Sequence, residues 1–227
     1  MTRPRLLLTL SLTLFVSAAA HATLVRAIPF DQKVQNAAAI VMGKCVAQES
    51  RWDDAHRWIL TYSTFEVQMT MKGFPTRTIT VVTPGGTVDG LHQETVGVPK
   101  FREGDEHVLF IRNSKVGPTV LDFEQGDYHV MRDERGDRVV RPAVTSSVLI
   151  DMQRGAAVAP EAQRSLDEFE TTVREIVRTR EIQKMELLKE RTRQEASIGA
   201  VLARNRVLVI FALLGALLAT WQLVKRS

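Results

Sequence analysis

Apolar and polar positions follow a strand-like pattern through the first two thirds of the chain and change to helical spacing near Val158. Before the strands, Leu24, Val25, Ile28, Val34 and Ala38 are apolar and Pro29 stands where a helix can open, so a short helix is predicted. The run from Ala39 to Val46 reads as a strand, with Gly43 marking a bulge or bend. From Trp58 to Met71, Ile59, Phe65, Val67, Met69 and Met71 alternate with Glu66, Gln68 and Thr70, the pattern of a half-buried strand. After Gly73-Phe-Pro75, the β-branched run Arg77 to Thr83 ends at Pro84-Gly-Gly86, which predicts a hairpin. His107 to Ile111, Val120 to Phe123, Tyr128 to Met131 and Val139-Val140 follow, separated by Gly-containing turns. Six or seven short strands at this spacing suggest a small barrel or sandwich.

From Ser165 the spacing is helical. Ser165 is a candidate N-cap with Glu168 three residues on, and Leu166, Phe169, Val173 and Ile176 form an apolar stripe. The stripe fails after Ile176, so a long coiled coil is not supported. Residues 161–206 carry nine acids and ten bases, which makes the segment a nearly neutral, ion-pair-rich helix. It is expected either to act as a stalk or to fold back on the β domain.

Both ends are apolar. Arg3 and Arg5 precede an apolar run from Leu6 to Val16, and Ala20-His-Ala22 fits a signal-peptidase site, which predicts a mature chain starting at Thr23. Residues 207–224 carry no charge and as a helix would extend ~27 Å, enough for a bilayer core. The expected topology is an exported domain, one inner-membrane helix and a cytoplasmic Lys225-Arg-Ser227. The segments are therefore 1–22 leader, 23–141 β-barrel, 142–157 linker, 158–205 charged helix, 206–224 membrane helix and 225–227 tail.

The formal charge of +4 includes four basic residues in the leader and tail, so the exported part is close to neutral and no nucleic-acid partner is expected. Cys45 is the only cysteine, so no intramolecular disulfide can form and the domain must be held by packing. In its apolar run Cys45 reads as a small hydrophobe rather than a nucleophile.

No catalytic motif is present, and no metal ligand, cofactor or catalytic residue is assigned; the protein is expected not to be an enzyme. Trp52 lies among Arg51, Asp53 and Asp54, either folded back on the barrel or exposed as a partner contact. Pro84-Gly85-Gly86 reads as a turn more than as an anion nest. With Pro99 and Phe101 in the 98–101 loop, the candidate binding residues are Arg51, Trp52, Asp53, Pro84, Gly85, Gly86, Pro99 and Phe101, facing a protein partner. The alternative from another class is a metal-dependent envelope hydrolase assembled from His92, His107, His129 and nearby carboxylates.

Further residues carry a resemblance: Ala39-Ile-Val-Met-Gly-Lys44, Glu49-Ser-Arg-Trp52, Thr64-Phe-Glu-Val67 with Met71-Lys-Gly73, Thr78-Ile-Thr-Val81 with Pro84-Gly-Gly86, Gly97-x-Pro99-x-Phe101-x-x-Gly104-Asp-Glu106 before His107-Val-Leu-Phe110, and Gln125-Gly126. Over roughly 24–133 the chain resembles a recurrent family of exported bacterial proteins. The resemblance implies an OB-like barrel similar to netrin and tissue-inhibitor-of-metalloproteinase domains, which bind other proteins. Those inhibitors grip zinc through an N-terminal cysteine. The predicted mature chain starts with Thr23, so that mechanism is not implied. A peptidase-inhibitor reading would need a free edge near Thr23.

Overall fold

The computed structural model describes residues 23–74, 76–144 and 147–205, together with positions 210, 211, 214–216, 221 and 225. The leader, and most of the uncharged stretch 207–224, lie outside the described residues. Among the described residues no helix is long and apolar enough to cross a membrane. The chain forms two compact units, one ending at Val177 and one beginning at Arg178.

The first unit is mainly β. Strand β1 (Thr23–Arg26) leads through Pro29, at the N-cap, into the short helix α1 (Phe30–Asn36). Strands β2 (Ala39–Trp52), β3 (Ile59–Lys72) and β4 (Thr78–Pro84) form an antiparallel meander. The small hairpin β5 (Gly86–Val88) and β6 (Leu91–Gln93) follows. Next comes β7 (Glu106–Ser114), whose run Val108-Leu-Phe-Ile111 is buried on both faces. One edge of β7 pairs with β2. The other carries β9 (Asp127–Arg132) along its first half and β8 (Gly117–Val120) along its second. Beyond β9 the sheet continues to β10 (Arg138–Pro142) and the two-residue β13 (Arg164–Ser165). At the other end, β4 lies against β8.

Gly43 marks an irregularity, as its sequence position suggested. The β2–β3 register slips between Met42 and Gly43, so Met42 faces Met69 while Gly43 faces Val67. A Cβ at Gly43 would stand 2.7 Å from the Glu66 carbonyl oxygen, closer than two non-bonded atoms allow, so only glycine lets the strands approach there.

The stretch 142–157, expected as a linker, holds β11 (Ser147–Asp151) and β12 (Ala156–Val158). β11 pairs in parallel with β1 and antiparallel with β12, which makes a second, three-stranded sheet. Parallel pairing with a strand some 120 residues earlier leaves no local signature.

Two cores lie on opposite faces of the main sheet. On one face, Met42, Val108, Phe110, Tyr128 and Val140 pack against Val34 of α1 and against Leu166, Phe169 and Val173 of the long helix α2 (Leu166–Arg204). At ~1.5–3 kcal/mol per fully buried large side chain, the first turns of α2 contribute substantially to this core. Ser165 caps α2 as its sequence position suggested, with its Oγ accepting the Glu168 N–H at 3.1 Å. Past Val177, in the second unit, Ile182, Met185, Leu187 and Leu188 are exposed. On the other face, Val41, Cys45, Phe65, Val81, Leu109, Ile111 and Val120 close around Phe101.

Candidate functional site

The expected contact residues fall into two groups. Arg51 and Trp52 are the last residues of β2 rather than loop residues. The Arg51 guanidinium stacks 3.9 Å from the Tyr62 ring centre, and Trp52 stacks on His56. Asp53 shapes the β2–β3 turn: its Oδ1 accepts the Arg57 and Trp58 N–H groups at 2.6 and 3.1 Å, and these bonds hold its carboxyl below the usual carboxylate range. All three have local structural work.

Pro84, Gly85, Gly86, Pro99 and Phe101 come together. They border a depression of about 400 Å³ that also reaches Ser50, Thr61 and His92. A second depression of about 320 Å³ adjoins it, sharing Thr83, Pro84, Val98 and Pro99 and extending to Arg112 and Phe123. The Gly-Gly turn is pinned, since the Gly85 N–H donates to the Ile59 carbonyl at 2.8 Å and the Gly85 carbonyl accepts from Thr61 at 2.7 Å. Gly86 has φ +139°, and a Cβ there would meet the hydroxyls of Ser50 and Thr61 at 2.5 Å. The turn therefore serves close packing, as its sequence context suggested, with the Gly85 N–H already engaged. Phe101 is buried, edge-on to both Phe65 and His107 at 5.0 Å, so it forms the floor of the groove rather than a protruding contact.

Phe123 was not anticipated as a contact. It is 53% exposed on the groove wall, and both Asp122 and Phe123 have left-handed backbones, with φ of 50° and 60°. Such conformations are costly outside glycine and persist where the surroundings impose them. Here the Glu124 N–H donates to the Gly97 carbonyl at 2.9 Å and ties the turn to the 97–101 loop.

Two polar clusters lie on opposite faces of β9. Tyr128, on the helix-covered face, donates to Glu161 Oε2 at 2.5 Å and accepts from the buried Lys33 Nζ at 2.5 Å. Lys33 also reaches Glu161 Oε1 at 2.8 Å and the Gln125 carbonyl at 3.2 Å, so its three donors are used. Burial lowers the Lys33 pKa from its ordinary 10.5 against the pull of Glu161. Burial, reinforced by Glu161, holds the Tyr128 hydroxyl well above 10. A cavity of about 460 Å³, lined among others by Arg26, Pro29, Met152 and Pro160, opens beside this cluster.

Asp127 and His129 share the opposite face with His107, whose strand partner is His129. The His107 and His129 rings are 4.6 Å apart, and His107 Nδ1 lies 2.7 Å from Asp127 Oδ1. Burial lowers the His129 pKa from 6.5, opposed by Asp127. Of the three histidines considered for a metal site, two meet here. His92 stands apart on β6, where its Nδ1 contacts the Thr87 hydroxyl at 3.0 Å. Cys45 is buried, and its thiol is pushed up by that burial, as suits a packing residue. Thr23 opens β1 and is paired in register with Ser147.

Compared with known protein families, curated proteins and solved structures, the chain matches none.

Proposed function

We propose that the chain is a membrane-anchored, exported binding module that engages a segment of a protein partner in the groove between the Pro84–Gly86 turn and the 98–101 loop. The observation that carries this reading is Phe123. A half-exposed aromatic side chain on a strained backbone, beside Pro99 and Val98, is a contact waiting for a cover. The hydroxyls of Ser50 and Thr61, whose protons are engaged with Thr61 Oγ1 and the Gly85 carbonyl, keep acceptor lone pairs along the same groove.

An OB-like barrel is the fold proposed for the module. Its support is the strand order β4-β3-β2-β7 with β8 on the far edge of β7 and next to β4, a meander closed by a Greek-key crossover. The anchor is the uncharged stretch 207–224, and the leader sends the domain outward, both as expected from the sequence. Fold alone does not fix function, so the partner has to be found by experiment.

A photoreactive amino acid placed at Phe123 of the full-length protein in intact cells is expected to crosslink a partner protein, and the same residue placed at Arg51 is not. Capture from Arg51 with none from Phe123 would move recognition to the β2–β3 turn and overturn the groove.

A further inference from the structure

We propose that His107, Asp127 and His129 form a binding site for one zinc-class divalent cation. The inference is independent of the groove and of any partner protein. Antiparallel pairing of β7 with β9 sets His107 directly opposite His129, and Asp127, two residues before His129, projects from the same face. One donor atom from each of the three side chains lies within 4.8 Å of the other two. His107 and Asp127 are 0% and 1% exposed, while His129 is half-buried and offers the way in.

Hydrogen-bond accounting is what separates this trio from an ordinary buried pair. Beyond the 2.7 Å contact between them, His107 Nε2 and Asp127 Oδ2 have no hydrogen-bond partner among the described residues, although both are fully buried. Groups so placed are nearly always paired, because leaving one unpaired forfeits its hydration without return. Neither charge state of the pair removes the problem. With His107 neutral, Nδ1–H donates to Asp127, and a buried carboxylate charge stays uncompensated while the Nε2 lone pair faces nothing. With His107 protonated, the charges cancel but an Nε2–H donor and an Oδ2 acceptor both go unused. A divalent cation that replaces the proton shared by His107 and Asp127 compensates the carboxylate charge and takes imidazole lone pairs in one step.

Donor chemistry chooses the ion. Two imidazoles with one carboxylate suit zinc and its neighbours cobalt, nickel and copper, whereas calcium and magnesium require mostly oxygen ligands. Three protein ligands leave further coordination positions for water at the half-buried His129 side.

The test uses the tag-free, full-length protein in detergent, stripped with a chelator and titrated with Zn2+, and with Co2+ read by its visible absorption. One equivalent is expected to bind, with a Co2+ spectrum showing nitrogen ligation. His129→Gln, at the half-buried position, is expected to weaken binding at least tenfold with the fold retained by circular dichroism, and His92→Gln to leave it unchanged. Absence of stoichiometric binding, which would leave a trapped water as the partner of these atoms, overturns the proposal. So does a titration that His129→Gln does not alter, or that His92→Gln weakens equally.

Discussion

Strand β9 carries two buried polar clusters, one on each face, and they differ in completeness. On the helix-covered face, Lys33, Tyr128 and Glu161 satisfy one another: each Lys33 donor has an acceptor, and the Tyr128 hydroxyl both donates and accepts. On the opposite face, His107 and Asp127 make one bond and leave two buried atoms unpaired among the described residues. The first cluster does structural work, tying α1 and the segment around Glu161 to the sheet. The second has spare coordinating capacity, the property expected of a site that takes a ligand. Residues one position apart on a single strand thus divide between holding the fold and binding.

The largest effect is expected on the helix-covered face. Phe169 is 1% exposed and stacks edge-on against Phe30, Phe110 and Tyr128, so Phe169→Ala is expected to cost ~4 kcal/mol in denaturant unfolding. A cost below ~1 kcal/mol would mean that the start of α2 is not part of this core. Lys33→Met, which leaves Glu161 without its cation, is expected to cost ~3 kcal/mol, and adding Glu161→Leu together with Tyr128→Phe, which removes the hydroxyl that would otherwise lose both partners, to restore part of the loss. Failure of the added changes to recover any stability would show that the three residues act separately.

A smaller effect sharpens the same contrast through pH. The folded-state pKa of Tyr128 is raised above its unfolded value near 10, so its stabilisation is fully present below pH 10 and is lost as pH climbs beyond it. Lys33 has the opposite sign: its folded pKa lies below 10.5, the unfolded chain binds more protons in that window, and stability rises with pH up to 10.5. In alkaline unfolding titrations, the advantage of wild type over Tyr128→Phe is therefore expected to narrow above pH 10. A constant difference between the two would contradict the assigned burial of the hydroxyl.

Much of the fold was legible. Period-two alternation located β3, an apolar run located the first part of β2 as far as Val46, a β-branched run located β4, the apolar run His107–Ile111 located β7, and Ser165 with Leu166, Phe169 and Val173 gave the cap and the buried stripe of α2. Gly43 announced its register slip. These signals are local, encoded within a few residues of where they act. The clusters are not local. Lys33 and Tyr128 are separated by 95 positions and meet only because α1 packs over β9, and His107 meets His129 through a register that depends on β8 turning back along β7. The one local hint was Asp127-x-His129, a spacing that puts both side chains on one strand face. Arg51, Trp52 and Asp53 drew attention because polar, aromatic-containing stretches resemble loops, yet two of them end a long strand and the third accepts hydrogen bonds from its own turn. Phe123 escaped because a left-handed backbone at a phenylalanine follows no sequence rule.

Thermal unfolding with and without Zn2+ tests the contrast between the faces most directly, on wild type, His129→Gln and Lys33→Met side by side. The cation is expected to raise the midpoint of wild type and of Lys33→Met and to leave that of His129→Gln unmoved. Equal shifts in all three proteins, or none in any, would contradict the claim that one face of β9 binds a ligand while the other holds the fold.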